Sequence, residues 1–200
     1  MSLEEDRLVL DGRSLRGIAH PLRVRILSAL REDGPATATR LAELLGESTG
    51  STSYHLRQLA TYGFVVEDTE RGVGRERWWR AAHRFTSFDG EANRDMPEES
   101  AAYLRAVAAI YAGRVERWLD ESADRTGPWR DTGTISDWRL QLTAEETRAL
   151  GEELTAVLDR YREARPDAPT ADGTTPDGTE RVVVQLQLMP FLRTEGGAEA

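Results

Sequence analysis

The 200-residue chain carries 26 arginines and no lysine against 35 acidic residues, a net charge of −9, and it has no cysteine. That length allows one large or two small domains. The missing thiols exclude disulfides, thiolate metal sites and cysteine nucleophiles, and they fit a reducing, cytoplasmic compartment.

The start, MSLEEDRLVL, is acidic where an export signal is basic and then apolar. The longest apolar stretch, Ala101 to Ala112, is broken by Arg105, so neither a leader nor a membrane span is expected. Asp11 is a good N-cap for a short helix with Leu15, Ile18 and Ala19 on one side, closed by His20-Pro21. Pro21 suits the first position of a second helix bearing Val24, Ile26, Leu27 and Leu30. Thr37 caps a third helix carrying Leu41, Leu44 and Leu45, and Gly46 is placed to stop it. After a three-residue turn Ser48 caps a fourth, which ends near Tyr62-Gly63. The β-rich runs Phe64 to Glu70 and Arg75 to Ala82, joined through RGVG, read as a hairpin.

A polar stretch without periodicity, 87–99, marks a change of composition. It divides the chain into 1–88, a linker at 89–99, and 100–200. Beyond it Leu104, Val107, Ala108, Tyr111, Val115, Trp118 and Leu119 recur at helical spacing. SDWRLQL then alternates Trp138, Leu140 and Leu142, and Thr143 with Glu146 forms a capping box for another helix. ARPDAPTADGTTPDGT reads as a mobile loop, and RVVVQLQLMPF closes with Val182, Val184, Leu186 and Leu188 on one strand face. The expected fold is mostly α with α+β character, its second half a small helix-strand-helix-strand domain.

Three sharper motifs do not survive their context. GESTG, Gly46 to Gly50, fits the G-x-S-x-G nucleophile elbow, but that elbow follows a strand, and here a leucine-spaced helix precedes Ser48. The three histidines, His20, His55 and His83, lack metal-ligand spacing. RGVGRE has neither the third glycine nor the following helix of a phosphate loop. No catalytic residue, metal ligand or cofactor is expected, and the protein reads as non-enzymatic.

The fourth helix carries the functional signal. Its stripe of Thr52, Leu56 and Leu59 is expected to be buried, and the opposite side shows Gly50, Ser53, Tyr54, Arg57 and Thr61. Residues 1–90 hold 13 arginines against 13 acids while 91–200 hold 13 against 22, so the whole net charge lies in the second half. Nothing from Ser48 to Val66 is acidic. Small residues that allow close approach, with hydroxyl and guanidinium donors, suit a helix entering the DNA major groove.

Together LRGIAHPLRVRILSAL, TATRLAELLGESTGSTSYHLRQLATYGFV and GRERWWRAA resemble, in this order and spacing, the winged helix-turn-helix of ArsR-like transcriptional regulators over residues 13–85. The resemblance implies DNA contact by Thr49, Gly50, Ser51, Ser53, Tyr54 and Arg57 of the recognition helix, and by Arg71, Arg75 and Arg77 of the wing. It further implies a homodimer on a roughly palindromic stretch of double-stranded DNA, and the expected role is that of a repressor. The paired cysteines of metal-sensing members have no counterpart in RLAELLG, so a cysteine-based metal response is not expected. Two alternatives stay open: a winged helix kept as a protein-interaction module, and a small-ligand-sensing module in which the acidic C-terminal domain carries the main binding function. A small-molecule effector stays unidentified.

Overall fold

The computed structural model describes residues 7–71, 76–88, 94–164 and 178–191. The chain forms two compact units, Met1–Arg125 and Thr126–Ala200. The first contains β1 (Arg7–Leu10), α1 (Gly12–Ile18), α2 (Pro21–Glu32), β2 (Ala36–Thr37), α3 (Ala38–Leu45), α4 (Thr49–Thr61), β3 (Val65–Glu67), β4 (Trp78–Ala81), β5 (Phe85–Phe88) and α5 (Pro97–Ser122). The fold is helix-rich with small sheets.

Local chemistry sets the helix boundaries. Asp11 and Ser14 form a reciprocal capping box: the Ser14 N–H donates to Asp11 Oδ1 at 2.7 Å and the Asp11 N–H donates to Ser14 Oγ at 2.9 Å. The Ser14 hydroxyl also donates to Asp11 Oδ1 at 2.6 Å, and this bond first, with the Ser14 N–H, favours the carboxylate and holds the Asp11 carboxyl below its ordinary value. His20, beyond its expected role of closing α1, is itself the N-cap of α2: Nδ1 accepts from the Leu22 N–H at 3.2 Å, with Pro21 in the first helical position. Thr37 Oγ1 caps α3 by accepting from the Arg40 N–H. Gly46 then ends α3 at φ +68°, a left-handed conformation, and the Glu47 N–H donates back to the Ala42 carbonyl.

β4 lies between β2 and β3 in an antiparallel sheet, pairing Ala36 with Trp79 and Val65 with Ala81. A second sheet, which the sequence reading lacks, joins β1 to β5 in parallel, with Arg7 opposite Phe85 and Leu8 opposite Thr86. The core between helices and sheet comprises chiefly Leu15, Ile18, Ile26, Leu41, Leu56 and Phe64, all essentially inaccessible to water.

The composition change at 89–99 is where the sequence reading divides the chain, whereas the compact unit runs on to Arg125. The reason is α5, which packs on α1 and α2 through buried Ala106 and the half-buried Tyr103, Val107 and Ile110. Arg114 of α5 bonds Glu32 and Ser28 of α2 and lies 5.6 Å from the Tyr111 ring centroid. Arg31 donates from Nε to the His83 carbonyl at 3.0 Å and from Nη2 to Thr86 Oγ1 at 2.8 Å, fastening α2 to β5. Burial pushes its guanidinium down to about 10, which leaves it charged at neutral pH.

In the second unit a 3-10 turn, Gly127–Trp129, precedes α6 (Ala144–Ala164). The expected capping box is present, with the Thr143 N–H donating to Glu146 Oε2 at 2.7 Å and the Glu146 N–H donating to Thr143 Oγ1 at 3.2 Å. The runs read as strands, 136–142 and 182–188, take part in no ladder among the described residues. A period of two sets which side chains share a face, but a strand also needs a neighbour, and neither run is laddered to one among the described residues. No described residue of this unit is buried. The expected mobile loop falls almost wholly on 165–177, outside the described residues.

Candidate nucleic-acid interface

The α3-turn-α4 segment is held as one piece. Ser48 Oγ accepts from the Ser51 N–H at 3.2 Å, so the serine of GESTG is a helix cap. Thr52 Oγ1 donates to the Ser48 carbonyl at 3.1 Å, which lets a hydroxyl sit fully buried beside Leu56 and Leu59. Those three residues form the inner stripe of α4, as the helical phase requires. Arg25 of α2 braces the turn, donating from Nη2 to the Leu45 carbonyl at 2.6 Å and from Nη1 to Glu47 at 3.2 Å.

With the inner stripe fixed, the outer side follows. Thr49, Gly50, Tyr54 and Arg57 are exposed, and Ser51 and Ser53 are half-buried. These six residues therefore share the α4 surface and its N-terminal turn. Thr61 Oγ1 donates to the Arg57 backbone carbonyl, and Arg57, the one arginine of this helix, is exposed. Of the wing residues, Arg71 is 57% exposed and 3.6 Å from Asp68, and Arg77 is 67% exposed and 3.9 Å from Glu67. The Arg77–Glu67 pair is exposed on both sides and holds weakly, leaving Arg77 available to a phosphate, whereas Asp68 is only 13% exposed and engages Arg71 from a largely covered position. Arg75 lies outside the described residues.

One feature of the site has no signature in the sequence. His20, at the start of α2, stacks against His55 of α4, and Tyr54 meets the His55 ring edge-on at 5.2 Å. Burial holds both imidazoles below their ordinary value; Arg23 adds to this for each, His20 adds to it for His55, and Glu47 opposes it. His55 Nδ1 and Arg23 Nε are buried without a hydrogen-bond partner. The separation of 35 positions hides the pair from any spacing rule, although the HP dipeptide at a helix start marks one half of it.

Residues 18–68 match the model of the helix-turn-helix domain. The matched helix-turn-helix segment begins at the end of α1 and ends in the first half of the hairpin, so it contains α2, α3, α4 and β3. Among solved structures, the disulfide-formed AbfR is 14% identical, with 50% of this chain and 67% of that one covered at a TM-score of 0.28. The apo form of a mutant Lactococcus lactis ZitR is 13% identical, covering 70% and 81% at a TM-score of 0.30. Similarity at that level assigns neither a ligand nor a partner. No curated protein matches the chain.

Among the described residues no three His, Asp or Glu side chains converge as a metal site. No described helix is long and apolar enough to cross a membrane.

Proposed function

We propose that this protein is a sequence-specific, DNA-binding transcriptional regulator of the ArsR-like kind, a homodimeric repressor that works without cysteine-based metal sensing. The reading rests on one observation above all. The helix-turn-helix segment presents an exposed α4 surface without a single carboxylate, on a chain whose net charge is −9. Thr49, Gly50, Ser51, Ser53 and Tyr54 would approach base edges and phosphates in the major groove, and Arg57 would supply a forked donor. The β3–β4 hairpin would be the wing, with Arg71, Arg75 and Arg77 on the flanking backbone. Two copies would set their α4 helices about 34–36 Å apart to meet successive major grooves. Any effector that altered that separation would alter affinity, and the acidic part beyond the wing is the region proposed to set it.

Selection of bound sequences from random double-stranded DNA, followed by anisotropy titration at several salt concentrations, tests this reading. Enrichment of a two-fold symmetric sequence is expected. Absence of enrichment, with binding indistinguishable from a blank, would remove DNA as the partner.

A further inference from the structure

We propose that residues 135–142 and 182–191 are a dimer interface, completing a shared core with the same runs of a second copy of this chain. The inference deepens the homodimeric reading above and rests on it.

The first observation is exposure among the described residues of the second unit. The second unit has a 21-residue helix and two apolar runs, yet none of its described residues is buried. Trp138 is 80% exposed, Val184 61% and Phe191 83%, and Leu140, Val182 and Leu186 are exposed with them. The exposed large apolar side chains of the two runs and of α6 come to roughly 1,500 Å². An obligate homodimer buries about 1,000–2,500 Å² per partner. The summed exposure falls within that range.

The second observation concerns backbone. Both runs are patterned as strands, and neither is laddered to another strand among the described residues. Strand-patterned runs with no ladder are templates for pairing with another chain. The 182–191 run is seated on α6 in part, since a Cβ at Gly151 would come within 3.2 Å of Leu188 Cδ1. A sheet formed with a second copy would therefore carry a helix on one face already.

Charge selects the occupant. Residues 182–191 contain no charge, and the two charges in 135–142, Asp137 and Arg139, lie 3.8 Å from each other. The surface has no electrostatic match for nucleic acid or for a strongly charged protein. The acidic face of α6, with Glu145, Glu146, Glu152 and Glu153, repels an anionic membrane. A neutral, apolar, strand-forming surface is complementary to itself, and a two-fold axis places the same patch on both sides.

The test uses the full chain without DNA, so that its outcome is independent of operator binding. In sedimentation velocity at micromolar concentration the wild type should run as a dimer, and Val184→Arg with Leu186→Arg as a monomer whose circular-dichroism melt of the first unit is unchanged. Because the chain has no cysteine, single Leu140→Cys, Val184→Cys and Gln187→Cys variants report proximity directly. Across a two-fold interface at least one should form an intermolecular disulfide about 100-fold faster than the exposed control Glu43→Cys, reflecting a millimolar effective concentration. A monomeric wild type overturns the proposal, as does a dimer that survives the double arginine variant. If that variant fails to fold, the cross-linking decides: rates equal to the control at all three positions overturn it.

Discussion

The imidazole rings of His20 and His55 stack with centroids 4.4 Å apart and planes 36° from parallel, joining the first turn of α2 to the middle of α4. The contact makes the presentation of the candidate recognition helix sensitive to protons. His20 Nδ1 accepts the Leu22 N–H, so a proton there removes the cap of α2. A charge on either ring also faces the other ring and Arg23, with Glu47 the one opposing group.

The sign follows from the direction of both shifts. Each histidine is held below its unfolded value of about 6.5. The stability they contribute is complete above about pH 6.5 and is lost as pH falls through the folded values. Melting temperature should therefore drop as buffers go from pH 7 to pH 5, and His20→Asn, which keeps a capping side chain without a titrating ring, should flatten that drop. An identical pH slope in wild type and variant would refute the coupling.

Leu56 and Ser48 separate core from cap. Leu56 is fully buried, so Leu56→Ala should cost about 2–5 kcal/mol in urea unfolding. Ser48→Ala should cost about 0.5–2 kcal/mol, with Ser48→Asp close to wild type because aspartate caps as well as serine. A Ser48→Asp chain as unstable as Ser48→Ala would mean that the hydroxyl has another task.

Gly17 faces the side chain at the end of α4: a Cβ there would stand 2.3 Å from Tyr62 Cγ. The obstructing atoms belong to the root of the ring rather than its mobile end, so Gly17→Ala must displace Tyr62 or α1. We expect a loss of about 1–3 kcal/mol by thermal melt. Tyr62→Ala combined with Gly17→Ala should recover part of it, and no recovery would show that the strain lies elsewhere.

Arg57 should affect binding and not folding. Arg57→Ala is expected to leave the melting temperature unchanged while weakening DNA binding by about 1–3 kcal/mol. Lost sequence preference would mark a base contact, and a uniform loss with a shallower salt dependence a phosphate contact. For roughly six phosphates per dimer the wild-type salt slope should lie near −5. Equal operator affinity of Arg57→Ala and wild type at matched salt would take Arg57 out of the interface.

What could be read from the sequence was whatever is decided within a few residues. Asp11, Thr37, Ser48 and Thr143 cap helices because a side-chain oxygen reaches an N–H two or three positions on, and Gly46 ends α3 because its φ is positive. The phase of α4 followed from Thr52, Leu56 and Leu59 alone. Long-range partners were not legible. FTSF carries no mark that it pairs with RLVL, and the apolar stripe of α5 says that it is covered without saying by which unit. The 136–142 and 182–188 runs alternate as strands do, but the identity of a strand's neighbour is not written in the strand.

The β1–β5 pairing sets an order on events at the ribosome. About 75 residues separate Leu10 from Phe85, several seconds of translation at about 5–20 residues per second. All of the helix-turn-helix segment, 18–68, precedes β5 in the chain. Its short-range contacts can close as it emerges, whereas β1 keeps an open edge until its parallel partner has been made. The helix-turn-helix segment of the nascent protein can therefore take its shape before the first strand has anywhere to go.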